Sequence, residues 1–203
     1  MNYFAVFNGV NKTLMTDFPI IPFPSAKDLN KWLAKNHAKS KGIWLRLFKK
    51  DSGVTSITRN EAIIEALCYG WIDGQANKYD EQSWLQKLTP RRPKSIWSKI
   101  NTEHVGRLIK EGRMHPAGMK EVEAAKEDGR WHKAYDSPKN MVVPEDFLKE
   151  LSKNKKAYAF FKTLNKTNTF AIAWRLQTAK KPETREKRMK ALLAMLKKGE
   201  KLH

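Results

Sequence analysis

The chain predicts an α+β fold: a small mixed or antiparallel sheet with flanking helices, followed by a helical C-terminal region. Three observations lead there. Gly42 to Lys49 (GIWLRLFK) is a short aliphatic and aromatic run closed by the Asp51-Ser52-Gly53 turn, the form of a strand. Trp71, Asp73 and Gln75, and then Trp84, Gln86 and Leu88, alternate with their neighbours at period two, which predicts two antiparallel strands joined near Lys78–Gln82. Beyond Asn101 the apolar residues recur at helical spacing between cap signals.

The elements follow in order. Tyr3 to Phe7 reads as a short strand, and a proline-marked lead-in runs to Pro24. Ser25 opens a helix, with Asp28 three residues on in a capping-box arrangement and Leu29, Trp32 and Leu33 on one face. Thr58 and Glu61 form a second capping box, and Gly70 stops that helix. Asn101 caps a helix ending at Gly112, Pro116 starts one ending at Gly129, and Pro144 with Glu145 and Asp146 starts a third. Asn154–Leu164 carries Ala157, Phe160, Phe161 and Leu164 on one stripe. Asn168 opens a helix through Ala179, and Pro182 opens the last, with Met189, Leu192, Leu193 and Leu196 at helical spacing and Gly199 as its stop. Two regions are expected, 1–100 and 101–203, packed as one unit, with a linker near 136–143.

Composition narrows the class. Of 203 residues 40% are hydrophobic, with 7 Trp and 9 Phe, enough for a core and against global disorder. The net charge is +19, and both halves carry the excess: 16 Lys/Arg against 8 Asp/Glu in residues 1–100, and 24 against 13 in the remainder. A field of this size attracts nucleic acid, phosphate-bearing small molecules or anionic lipid surfaces, and it also keeps a protein soluble. The single cysteine, Cys68, excludes an internal disulfide and reads as a buried helical thiol. His37, His104, His115, His132 and His203 share no metal-binding spacing, so no metal and no cofactor is expected. The N-terminal stretch lacks a basic start, and no apolar run approaches a membrane span, so a soluble cytoplasmic protein is the expectation.

The densest chemistry lies in Thr89–Asn101 (TPRRPKSIWSKIN), which has four cations and no acid. Pro90 and Pro93 fix φ and remove backbone donors, so the arginines should sit on a stiff irregular loop. Arg91, Arg92, Lys94 and Ser95 beside Trp97 and Ser98 suit a phosphate: guanidinium forks match its oxygens, and a flat ring can stack a base or ribose. A helix beginning at Ser95 would add free N–H groups. Asp73, facing the same way as Trp71 and Gln75, is the most plausible functional carboxylate. A turn or a buried salt bridge to Arg91 or Arg92 is its simpler role, and no catalytic residue is assigned. A second basic zone holds nine Lys/Arg against three Glu over 178–203. There, after a helix-turn-helix-like segment, Arg175, Lys180, Lys181, Arg185 and Arg188 are candidates for nucleic-acid contact, against the alternative of a helical bundle with a solvated cationic face.

SKGIWLRLFKK, ALCYGWIDGQ, WLQKLTPRRPKSIWSKIN, LIKEGRMHPAGMKEVEAAKEDGRW and TAKKPETREKRMKALLAMLKKGEKLH, in that order over about Pro22 to His203, resemble the YdeI/OmpD-associated family, the bacteriocin-protection proteins. The resemblance implies a role in tolerance of cationic antimicrobial peptides and an association with an outer-membrane porin. It brings no catalytic residue, cofactor or reaction. At +19 the chain repels a cationic peptide, so direct binding of such peptides is not expected; occupying the anionic surfaces they attack is the physically consistent route. The expectation is a non-enzymatic stress or peptide-protection protein with a basic anion-binding surface. A nucleic-acid-binding protein and an enzyme acting on a small anionic substrate are the alternatives.

Overall fold

A computed structural model describes residues 18–136 and 140–203. The strand expected at Tyr3–Phe7 lies outside the described residues, as do residues 137–139 of the expected 136–143 linker. The order is β1 (Ile20–Pro22), α1 (Ala26–Asn36), β2 (Ile43–Phe48), α2 (Arg59–Cys68), β3 (Trp71–Lys78), β4 (Ser83–Pro90), α3 (Lys99–Lys110), α4 (Pro116–Glu127), α5 (Glu145–Ser152), α6 (Lys155–Lys162), α7 (Lys166–Gln177) and α8 (Pro182–Lys197). The fold is α+β with a helical C-terminal region. The described residues divide into two compact units, 18–93 with 108–123, and 94–107 with 124–136 and 140–203. The divisions fall inside the Arg91–Ser98 loop, α3 and α4.

In the first unit a four-stranded sheet runs β1-β2-β4-β3, with β1 parallel to β2 and the other pairs antiparallel. The lead-in expected before Ser25 contributes β1. Its prolines fit there because an edge strand leaves N–H groups outside the ladder. Ile43, Leu45 and Leu47 of β2 pack with Leu29 and Leu33 of α1, Ala62 and Ala66 of α2, and Trp71 and Leu88. Local signals start the helices: Ser25 Oγ accepts from Asp28 N–H at 3.3 Å, and Thr58 and Glu61 complete both halves of their capping box. Gly70, at φ +74, ends α2, and a Cβ there would stand 3.0 Å from the Ala117 carbonyl oxygen.

The period-two alternation of β3 is broken by a bulge between Asp73 and Ala76. Gln86 of β4, buried, fills the gap by donating its Nε2 to the carbonyls of Gly74 (2.9 Å) and Gln75 (3.2 Å). The expected common face of Trp71, Asp73 and Gln75 is therefore corrected: Trp71 is core, whereas Gln75 is exposed on the bulge.

In the second unit α5 and α6 have 8 residues each, too short to stand alone in water. Phe147 and Leu151 of α5 and Ala157 of α6 are held in one core with Ile172, Ala173 and Leu176 of α7 and Leu192 and Leu196 of α8. Burying each large apolar side chain contributes about 1.5–3 kcal/mol. Two helix starts differ from expectation. α3 begins at Lys99, with Ser98 Oγ accepting from Asn101 N–H at 3.3 Å, so Ser98 rather than Asn101 is its cap. α7 is opened by Asn165, whose Oδ1 accepts from Asn168 N–H at 3.0 Å. Asn168 is instead buried, its Oδ1 accepting from Leu202 and His203 N–H, each at 3.0 Å. Both asparagines suit a cap by type, and the long-range partner decides between them.

Candidate functional site: a cationic cleft in the second unit

The Arg91–Ser98 segment is irregular, as its prolines require, but its residues have separate roles. Arg91 and Arg92 belong to the first unit and Lys94, Ser95, Trp97 and Ser98 to the second. Arg91 is 6% exposed and donates its backbone N–H to Gly70 O at 2.9 Å, while Arg92 is exposed. Trp97 is 2% exposed, its ring 5.0 Å from Trp131, so it is core and presents no face on which a ligand base can stack. No helix starts at Ser95. Ser98 instead bridges Tyr135, with Tyr135 N–H donating to Trp97 O (3.0 Å) and Lys99 N–H to Tyr135 O (2.9 Å).

Asp73 pairs with Arg59 at 2.5 Å, not with Arg91 or Arg92. Arg59 Nε also donates to Gln86 Oε1 at 3.0 Å, so Asp73 ends a structural chain that ties the start of α2 to the β3 bulge. Alternation along β3 points to Asp73 but cannot show that a residue 14 positions upstream reaches it.

The helical candidates also divide. Arg185 donates two parallel hydrogen bonds to Asp146, at 2.7 and 2.8 Å, and this donation holds the Asp146 carboxyl below the usual carboxylate range. Arg188 donates to Arg175 O at 2.7 Å and so caps the C-terminal end of α7. Arg175, Lys180 and Lys181 are exposed.

The structure brings Lys94 and Lys180, drawn from the two separate basic zones, to one cleft of about 670 Å³ within the second unit. Lys180 Nζ donates to Lys94 O at 3.4 Å. Lys99, Arg130 and Lys133 complete its cationic lining, Asp128 is its acidic member among the described residues, and Ile96, Ala134, Tyr135 and Ala179 supply apolar surface. His132, Gln177 and Thr178 line it as well. Lys99 is partly neutralised by Asp136 at 2.7 Å. Lys94 has φ +64, the one non-glycine residue with positive φ among those described; such backbone strain tends to gather at functional sites.

Arg130 is fixed on two sides. Its Nε donates to both Asp128 oxygens at 2.8 and 2.6 Å, and a terminal nitrogen donates to Ser95 O at 2.7 Å. Donation from Arg130, helped by the charge of Lys180, holds the Asp128 carboxyl below its ordinary value. Tyr135 stands edge-on to Trp174 at 6.3 Å. Sequence reasoning missed Asp128, Arg130, Lys133 and Tyr135. The available signal was the basic and aromatic run Arg130–Tyr135 directly after the Gly129 helix stop. Among the described residues no group of three or more His, Cys, Asp or Glu is arranged to hold a metal, and no helix is long and apolar enough to cross a membrane.

Residues 21–121 match the model of a domain of unknown function (DUF8412), and residues 140–199 match the model described as Bacteriocin-protection, YdeI or OmpD-Associated. No curated protein and no solved structure matches the chain.

Proposed function

We propose that this chain, which belongs through its residues 140–199 to the bacteriocin-protection, YdeI or OmpD-associated family, protects by binding an anionic group in the cleft of its second unit. The carrying observation is the lining of that cleft by Lys94, Lys99, Arg130, Lys133 and Lys180 with Asp128 in their midst. Cations gathered around a concavity with low-dielectric walls focus the field on a bound anion. Arg130, held by Asp128 and Ser95 O, needs little reorganisation to meet one. The +19 charge points the same way: the partner is an anion, and a cationic peptide is repelled rather than sequestered. Binding rather than turnover is the activity proposed, because Asp73 serves Arg59 and the cleft's carboxylate serves Arg130. The nucleic-acid reading retains Arg175, Lys180 and Lys181, with Arg185 and Arg188 engaged within the unit.

The test is calorimetric titration with pyrophosphate at low and moderate salt, beside survival of cells expressing each variant under a cationic peptide. Wild type should bind with affinity that falls as salt rises, and Lys94→Glu/Lys133→Glu should lose at least about tenfold in affinity, equivalent to about 1.4 kcal/mol, together with protection. Absence of binding at low salt by pyrophosphate and by phosphate monoesters alike, or full protection by the non-binding variant, would overturn the proposal.

A further inference from the structure

We infer that the cleft takes a small phosphate monoester whose organic part carries hydroxyl or amine donors, in preference to a bare inorganic anion or a polymer backbone. The inference rests on the anion-binding reading above and follows from the placement of acceptors. Gln177 commits one Nε2 proton to Val142 O at 3.2 Å, which leaves its Oε1 to accept from a ligand and its second Nε2 proton to donate. Thr178 donates its hydroxyl proton to Trp174 O at 2.7 Å and accepts from Arg188 at 3.4 Å, so its Oγ1 has no proton to give a ligand and one lone pair left to receive. Asp128 adds an ionised carboxylate, kept so by Arg130. All three line the same cleft as the cations.

Inorganic hydrogen phosphate carries a single P–OH proton, which can meet one acceptor, and its other oxygens meet lone pairs where they turn toward Asp128 or Thr178 Oγ1. A phosphate monoester satisfies both groups at once: its phosphoryl oxygens meet the ammonium groups, and its hydroxyl or amine protons meet the acceptors. The cleft volume, about 670 Å³, falls within the range of small-molecule sites. Ala134, Tyr135 and Ala179 give the non-polar faces of a sugar or base an apolar surface to lie against. Lys94, Lys133 and Lys180 are exposed at the mouth, where they draw in the charged end. Nucleotides and sugar phosphates share this chemistry.

The full chain is titrated calorimetrically with AMP, ribose 5-phosphate, inorganic phosphate, adenosine and a thymidine oligonucleotide. AMP or ribose 5-phosphate should bind at least about tenfold tighter than inorganic phosphate, the scale of one or two added hydrogen bonds. Equal affinity for AMP and ribose 5-phosphate places the recognition in the sugar, and tighter AMP places it in the base as well; either supports the inference. Gln177→Leu, at an exposed position checked by its melting curve, should narrow the monoester's advantage over inorganic phosphate to within about twofold. Lys94→Gly keeps the left-handed backbone and removes one ammonium, and should weaken every phosphate ligand alike. Inorganic phosphate binding as well as AMP, or the oligonucleotide outcompeting AMP, overturns this inference alone. No binding by any phosphate ligand overturns the anion-binding proposal with it.

Discussion

Gly118 and Gly106 each occupy a helix, and replacing either by alanine is the same chemical change with opposite expected signs. A Cβ at Gly118 in α4 would stand 2.3 Å from Cys68 O and 2.8 Å from its carbonyl carbon, with Met114 Cε at 2.9 Å. Ordinary contact begins at 3.4 Å, so the backbone at the end of α2 must retreat by about 1.1 Å. The atom in the way is a carbonyl, not the tip of a flexible side chain. His115 N–H donates to that same carbonyl at 2.9 Å, so the retreat also stretches a hydrogen bond. Overpacking costs about 1–3 kcal/mol and the weakened bond up to about 1, against a helix-propensity gain of about 1 for Gly→Ala. Gly118→Ala should therefore destabilise by up to about 3 kcal/mol, a fall of roughly 2–4 °C in Tm per kcal/mol for a chain of this size. A Cβ at Gly106 in α3 meets nothing within 4 Å, so Gly106→Ala should stabilise by up to about 1 kcal/mol. Differential scanning calorimetry of the two variants beside wild type reads both shifts. If Gly118→Ala melts at or above wild type, α2 and α4 do not approach as closely as these distances require.

Two further outcomes test the local electrostatics. Burial, then the neighbouring Glu65 charge, pushes the Cys68 thiol up to about 11, so at pH 8 only about one molecule in a thousand carries the thiolate. Reaction with a disulfide reagent should run at least about a hundredfold slower in native than in denatured protein; comparable rates would contradict a buried thiol. Asp146 has its carboxyl depressed by donation from Arg185, so its contribution to stability is present above the ordinary carboxylate value of about 3.9 and is lost as pH falls through the lower folded value. Solvent screening limits the pair to about 0–1 kcal/mol. The stability gap between wild type and Asp146→Asn should be flat above about pH 5 and close in acid, and a gap that widens in acid would reverse the assignment.

Features decided within three or four residues were legible in the amino-acid order alone. Ser25, the Thr58/Glu61 pair, Asn154 and Pro182 mark helix starts because their partners are fixed by chain geometry at i+3 or by the missing proline N–H. Gly70, Gly129 and Gly199 mark stops because each takes a positive φ that other residues resist. An aliphatic and aromatic run located β2 and alternation located β3 and β4, and with the helical spacing after Asn101 these established α+β. Total charge, likewise, follows from composition. Long-range partners, by contrast, were settled by folding. Asp73 found Arg59, Arg185 found Asp146, and Asn168 found the Leu202 and His203 amides, in each case across separations that no periodicity encodes. Trp97 was legible as a large flat ring, but whether that ring stacks a ligand or fills a core depends on Trp131 lying 5.0 Å away. The cleft is the clearest case: Lys94, Arg130 and Lys180 stand far apart along the chain, and they form one cationic concavity only because folding brings three separate stretches of backbone to the same place.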